Sequence, residues 1–453
     1  MVSSLVEPCK SFVRWGLTHG LLRFAIRRGA KQGDLQGEMI MVASEANGEE
    51  RLEAIYDQIR AQGGVYQGEY SHIAVSHALV KEVLSSPDFR TGVPTLQKGV
   101  LIRIAAAVRS EVFSPIEPPS LLVTEPPDHT RYRKLVTRVF TARAVEQLRE
   151  RTQEVANELL DTIEERHRLH PDQPIDLVAD YCGLLPVTVI SEILGVPVAE
   201  RETILAYGEG AAASLDFGLP WAPYRGVERA LREFDGWLTN HLTWLRANPG
   251  DNLLSHLIAA QEDGVGLTEL EFKSTAGLVL AAGFETTVNL LSNGIALLAS
   301  HPDQLDRLRS EPEVWPNAVD EILRMDPPVL LTGRMALRDT QVGPAVVREG
   351  APITASLAAA NHDPNVFTDP LAFRVDRDNA RDHLAFSGGR HYCLGAQLAR
   401  MEGEVGLRTL FDRFPELTLA PGSARRTTRI LRGYQHLPVQ LGDPVRAEAD
   451  VPA

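Results

Sequence analysis

Apolar positions recur at helical spacing over residues 144–168, 185–194, 225–247 and 267–300, with a shorter run at 51–60. That periodicity predicts amphipathic or buried helices. Period-two alternation is brief and scattered. Residues 64–70 and 71–75 read as a hairpin-like pair, and further short strands are expected between 336 and 353 and from 416 to 441. The chain therefore reads as mainly α, one large helix-rich body with small β-sheet patches. Residues 276–300 are apolar, but Glu285, Asn289 and Asn293 interrupt them at helical spacing. No uninterrupted run reaches the roughly 20 residues a membrane span needs, so a buried central helix is expected.

The amino terminus has a different texture. Lys10, Arg14, Arg23, Arg27, Arg28 and Lys31 are interleaved with Phe12, Trp15, Leu22, Phe24 and Ile26, and residues 10–31 contain no acid. Two readings stand side by side: a basic amphipathic helix in peripheral contact with an anionic membrane, or an extension packed on the protein's own acidic body. Residues 34–50 are polar and read as a loop-like linker. The expected division is an extension and linker over 1–45, a single large domain over 46–443 and a tail over 444–453.

The net charge of −14 over 453 residues argues against a nucleic-acid partner. Cys9, Cys182 and Cys393 lie far apart, which is no disulfide framework and suits a reducing cytoplasm. No glycine-rich dinucleotide fingerprint follows a strand, so a nicotinamide cofactor has no module here and any electrons come from another protein.

The chemistry concentrates in Phe386-Ser-Gly-Gly-Arg-His-Tyr-Cys393-Leu-Gly395. A lone cysteine in a tight turn before a helical run is offered backbone N–H groups and the positive end of a helix dipole, which favour a thiolate. One thiolate without neighbouring ligands suits a single axial bond to haem iron better than zinc, which takes about four ligands. Within the long central helix, Ala282-Gly-Phe-Glu285-Thr286-Thr places a carboxyl and hydroxyls where they are costly, and predicts a kink with an opened turn. Glu321 and Arg324 are three apart and His129 and Arg133 four apart, so each pair shares a helix face. A surface ion pair and solvated bases are the plain readings of these.

Taken together the blocks resemble the cytochrome P450 haem-thiolate monooxygenases. The cysteine turn is similar to F-G-x-G-x-H-x-C-x-G, with Ser387 where glycine is usual. Residues 282–287 are similar to A-G-x-[DE]-T-[TS], and Glu321-x-x-Arg324 to E-x-x-R. Asn361-His362-Asp-Pro stands where N-R-D-P is usual. The resemblance spans roughly residues 51–441 and implies the cytochrome P450 fold with haem b ligated by Cys393. It implies that Phe386, Gly389 and Gly395 shape the haem turn, and that His129, Arg133, Arg334 and His391 serve the propionates. Glu321, Arg324 and Arg377 would form a structural network. Glu285 and Thr286 would deliver protons for O2 activation. One oxygen atom would enter a C–H bond of an apolar substrate, with lipid, fatty acyl or polyketide favoured.

Ala282, Val329, Leu330 and Leu331 are expected to line the substrate pocket, with the stretches 91–123 and 215–224 and the turn near Arg432. Electrons from NAD(P)H would arrive through a ferredoxin reductase and a ferredoxin, which could dock on a basic patch of Arg131, Lys134, Arg138 and Arg143. A cytoplasmic location is expected, at the inner membrane surface if the basic stretch binds lipid. The alternatives are a peroxide-driven or isomerising haem-thiolate enzyme and a non-enzymatic haem-binding sensor. A Cys393–His391 hydrolase has poor geometry, because two residues in one turn make an unsuitable nucleophile–base pair.

Overall fold

A computed structural model describes residues 2–445 except 46, 70, 93–103, 105, 106, 109, 111, 113 and 263–266. The helix Glu269–Ser300 runs through the middle. Its start is set by a capping box: the Thr268 hydroxyl accepts from the Glu271 N–H, and the Glu271 carboxylate accepts from the Thr268 N–H. Leu280, Val288, Leu290, Leu291, Ile295 and Leu298 are all buried, together with Asn289, Ser292 and Asn293. It packs against Leu184–Leu194, Arg201–Ala213 and Ala396–Arg413. Close approach depends on Gly406, where an added Cβ would lie 2.8 Å from Leu291 and 2.9 Å from Leu185.

The predicted helices appear as Glu49–Ala61, Ala142–Leu169, Leu184–Leu194, Trp221–Ala247 and Glu269–Ser300. The hairpin-like pair forms as Val65–Gln67 against His72–Ala74. These strands join a five-stranded sheet in which His72–Ala74 runs parallel to Pro352–Ser356, which pairs antiparallel with Leu331–Ala336. Small two- and three-stranded sheets hold the carboxy-terminal part.

Two expectations are corrected. The stretch 34–50 is not a loop-like linker: Leu35–Val42 is a helix, capped where the Asp34 carboxylate accepts from the Gly37 N–H at 2.8 Å, and Met39, Ile40 and Val42 are buried. The central helix has no opened turn at residues 285–286 but stays α-helical throughout, with the Thr286 hydroxyl bonding back to the Ala282 carbonyl at 3.0 Å.

The basic amino-terminal stretch is helical, Val2–Trp15 and Leu21–Lys31 joined by a π-helical turn, Gly16–Gly20. It lies on the body. Arg14 pairs with Glu228 and donates to the Val108 carbonyl at 2.6 Å, and the Trp15 ring lies beside that of Trp221. The reading of an extension packed on an acidic body matches these contacts, and the membrane reading gains no support from them. Among the described residues no helix is long and apolar enough to cross a membrane.

A buried charge network fixes the region ahead of the cysteine turn. Glu321 and Arg324, both fully buried, meet in two hydrogen bonds of 2.6 and 2.9 Å. Arg377 Nε reaches both Glu321 oxygens at 3.0 and 3.1 Å. The spare guanidinium protons go to backbone carbonyls: Arg324 to Asn361 and Pro370, Arg377 to Thr368, Asp369 and Ala372. A desolvated pair is tolerable only when its remaining donors are satisfied in this way. Replacing Glu321 by Ala strands two buried cations. We expect a loss of about 3–5 kcal/mol in urea unfolding, whereas Arg374→Ala, whose side chain is half exposed, changes stability little.

Candidate active site

The cysteine turn closes on itself: the Cys393 N–H donates to the Phe386 carbonyl at 2.9 Å and the Ser387 N–H to Leu384 at 2.8 Å. Gly389 has φ +64°, and an added Cβ would sit 2.4 Å from the Leu84 carbonyl oxygen, so only glycine fits. Ser387 also adopts a left-handed φ of +62°, and its hydroxyl is buried without a partner among the described residues. The family-like turn is thus kept at Ser387 at the cost of local strain. Phe386 is buried under the Arg400 guanidinium, 4.6 Å from its ring centre. Gly395 precedes the helix Ala396–Arg413, and its N–H donates to the Cys393 sulfur.

Cys393 is accessible to solvent yet ringed by protein. Burial pushes its thiol up, and the Gly395 N–H, Arg133 and Arg400 offset this only in part. The Gly395 N–H acts in the expected direction, toward a thiolate, and burial outweighs it. A bound metal ion, which deprotonates a thiol ligand outright, would supply the difference. Cys182 is fully buried, and desolvation drives its thiol far up, out of reach of chemistry. Among the described residues no group of three or more His, Cys, Asp or Glu could hold a metal ion.

The expected propionate partners gather beside it. The His129 and His391 rings are 4.4 Å apart. Burial, then His391 and Arg133, push His129 down to about 4, and its Nε2 has no partner among the described residues. Arg334, on the strand Leu331–Ala336, is 4% exposed. Its guanidinium donates to the Thr332 hydroxyl and the Gly333 carbonyl, and burial pushes it down to about 10. A buried guanidinium with only neutral acceptors is destabilising alone, and a haem propionate would satisfy it. Arg133 instead donates to the Tyr392 carbonyl at 2.7 Å and so braces the cysteine turn.

Glu125, to which the sequence alone assigns no role, lies among these groups. Burial works against its charge. Hydrogen bonds from His391, Thr91 and Arg390 prevail and pull it down to about 2.

On the central helix, Ala282 is exposed and Thr286 half-buried although most of their neighbours are buried. Glu285 is 2% exposed. Its nearest cation is Arg426 at 3.4 Å, its second oxygen has no partner among the described residues, and burial raises its pKa. Glu402, on the helix after the cysteine, is fully buried beside Thr287 and is pushed up strongly by desolvation.

Sequence reasoning placed the turn near Arg432 at the pocket but missed the ion pairs made by the arginines of the segment after Ala424. Arg425 and Arg432 both bind Asp326 at 2.7 Å, Arg432 also pairs with Glu49, and Arg426 reaches Glu285 and Glu209. The signal that could have found them is the density of arginines in Arg425-Arg-Thr-Thr-Arg-Ile-Leu-Arg432.

Of the expected pocket, Leu330 is buried, Val329 and Leu331 are half-buried, and Val329 bridges to Leu431. Much of the stretch 91–123 lies outside the described residues. The basic patch is only partly available. Arg131 is held by Glu271 at 2.7 Å and Asp128 at 3.1 Å, Lys134 and Arg143 are exposed, and the Arg138 side chain lies outside the described residues.

A helix-rich body that carries an exposed cysteine in a glycine turn, and a buried arginine without an anionic hydrogen-bond partner, fits a haem-thiolate protein. Comparison with known proteins narrows this. The cytochrome P450 family model matches residues 233–433. A Mycobacterium tuberculosis protein named cytochrome P450 140 is 47% identical over 97% of this chain and 99% of its own length. The 6-deoxyerythronolide B hydroxylase of Saccharopolyspora erythraea is 40% identical, over 70% of this chain and 77% of its own. The ligand-free structure of Mycobacterium smegmatis CYP164A2 superposes with a TM-score of 0.77 at 31% identity, covering 89% of this chain and 99% of that one. The chain belongs to the cytochrome P450 family and is an oxidoreductase of the monooxygenase class, with haem iron and O2 as the family's reagents.

The strained serine gives a direct test. Ser387→Gly removes a left-handed residue that costs about 1–2 kcal/mol and a buried unpartnered hydroxyl. We expect the denaturation midpoint to rise with an unchanged slope.

Proposed function

We propose that this enzyme hydroxylates an apolar substrate, using one atom of O2 and electrons delivered from NAD(P)H through a ferredoxin reductase and a ferredoxin in the cytoplasm. The observation that carries the reading is the buried acid Glu285 beside the Thr286 hydroxyl, on a central helix that leaves Ala282 exposed. A polar pair in such a position is expensive unless it handles protons. The same pair disfavours the peroxide-driven, isomerising and sensor alternatives, which have no need of a proton-delivering acid and alcohol.

In this reading Cys393 would ligate the haem iron, Arg334, His129 and His391 would hold the propionates, and Arg133 would join them by exchanging its bond to the Tyr392 carbonyl. Phe386, Gly389 and Gly395 keep the turn in shape, and Glu321, Arg324 and Arg377 keep it in place. When bound, the haem supplies oxygen activation: with two electrons and two protons, one oxygen atom enters a substrate C–H bond and the other leaves as water. The chain's own residues control the protons. Burial keeps Glu285 protonated to higher pH than an ordinary carboxyl, which suits a proton donor. Thr286 releases its bond to the Ala282 carbonyl to present its hydroxyl. Ala282, Val329, Leu330 and Leu331 present an apolar wall that positions the substrate and excludes water.

A polyketide substrate is favoured by the relative named 6-deoxyerythronolide B hydroxylase, with fatty acyl and other lipid chains also compatible with an apolar wall. For the electron donor, exposed Lys134 and Arg143 are the cations left to meet an acidic partner.

Titrating the ferric protein with macrolides, long-chain acyl lipids and sterols tests the substrate: a low-to-high spin shift with one class assigns it. Cys393→Ala should abolish the thiolate carbon monoxide spectrum, and its survival would reassign the ligand. Turnover should fall as pH rises through the elevated Glu285 pKa, because the donor form is the protonated one. Glu285→Gln should remove that alkaline limb and lower the product rate roughly 100-fold, with consumed O2 diverted to peroxide. An unchanged pH–rate profile in this variant would exclude Glu285 as the donor.

A further inference from the structure

The amino-terminal helix is hydrogen-bonded to a turn that is itself hydrogen-bonded to the pocket wall. Trp15 Nε1 donates to the Leu219 carbonyl at 2.8 Å, and the Leu219 N–H donates to His19 Nδ1 at 3.3 Å. Both backbone groups of Leu219 are therefore held by the helix. Arg23 donates to the Gly218 carbonyl at 3.2 Å, and Gly218 sits at φ +66° against the Arg23 backbone and the tip of Ile26. Burial, then Arg429, push His19 down to about 4, so near neutrality it is the uncharged acceptor this contact needs.

The far side of the same turn grips the carboxy-terminal segment. The buried Asp216 carboxylate accepts from the Arg429 N–H at 2.9 Å and the Ile430 N–H at 3.1 Å, and Arg429 returns a hydrogen bond to the Phe217 carbonyl at 2.7 Å. From there the path reaches the wall. The Leu330 N–H donates to the Ile430 carbonyl at 2.8 Å, Val329 bridges to Leu431, and the Arg432 N–H donates to the Pro328 carbonyl at 2.9 Å. The turn is short and follows the helix Arg201–Ala213, whose end accepts the Leu215 and Asp216 N–H groups, and beyond that it is held by these two neighbours.

We propose that Trp15, His19 and Arg23 are positioning residues for substrate specificity. They fix the turn 216–219, and through it the 429–431 segment and the Val329–Leu330 wall, so that the first thirty or so residues are part of the pocket's frame. This rests on the assignment of Val329 and Leu330 to the substrate pocket. Arg14, which joins Glu228 to the Val108 carbonyl, anchors the same helix on its other side.

The test uses the full-length holoprotein with Trp15→Phe and Arg23→Met, singly and together. Both keep most of the packing and remove a hydrogen-bond donor. Amide exchange should quicken on the order of fivefold at 216–219 and at 429–431, as expected for loss of one ordinary hydrogen bond, while the central helix and the cysteine turn stay as protected as before. The affinity order across the ligand panel should change, with the carbon monoxide spectrum unchanged. Arg23→Lys, which retains a donor, should restore most of the protection. Faster exchange confined to residues 2–31, with the ligand order intact, would overturn the proposal and leave the helix an appendage. Exchange is read on the protein itself, so it separates the two outcomes even if no ligand of the panel shifts the spin state and the substrate reading fails.

Discussion

The Glu321 carboxylate, shared by Arg324 and Arg377 with no access to water, is the constraint on which the site's geometry rests. Three charges are removed from solvent, so each proton on the two guanidinium groups must find an acceptor, and the acceptors are carbonyls of the irregular segment 361–372. The segment pairs only some of its own backbone groups, and the two arginines take carbonyls it leaves over. The order then passes onward. Asn361, whose carbonyl Arg324 holds, accepts the Leu384 N–H at 2.7 Å on its side chain, and the Leu384 carbonyl receives the Ser387 N–H. Cys393 is thus placed by a chain of satisfied polar groups that begins fully inside the protein.

Around the site, charge is arranged by opposed demands. On one side, Arg334, Arg390, His129 and His391 crowd together with Glu125 as their one acid in contact among the described residues, and burial lowers the pKa of Arg334 and His129. That side awaits negative charge. On the other, Glu285 and Glu402 are acids without a well-made cation contact, and burial raises both. One protein interior therefore favours an anion at one wall and stored protons at another, which is the division a proton-coupled oxidation requires.

What could be read in the sequence was what is local. The cysteine turn, the acid–alcohol pair and the Glu321–Arg324 spacing each lie within a few residues, and all fold as helix or turn in the predicted place. Arg377 stands 56 residues from Glu321 and was reachable only through family resemblance. Arg131 looked like a free surface base because its partner Glu271 is 140 positions away. Glu125, Glu402 and the ion pairs of the arginines after residue 424 were missed for the same reason: nothing in their neighbourhood distinguishes a clamped charge from a solvated one. The stretch 34–42 was misread because Gln36, Gly37 and Glu38 suggest a loop, while tertiary packing buries its Met and Val side chains. The opened turn at Thr286 failed because a threonine hydroxyl can return to the carbonyl of the preceding turn without breaking the helix.

The arginines of the carboxy-terminal segment have a consequence in time. Asp326, Asp216 and Glu49 precede Cys393 in the chain, yet their partners Arg425, Arg429 and Arg432 follow it. Until those arginines are made, these acids lack the partners that offset their burial. A growing chain that has released Cys393 but not Arg425 holds the whole cysteine turn and none of these clasps.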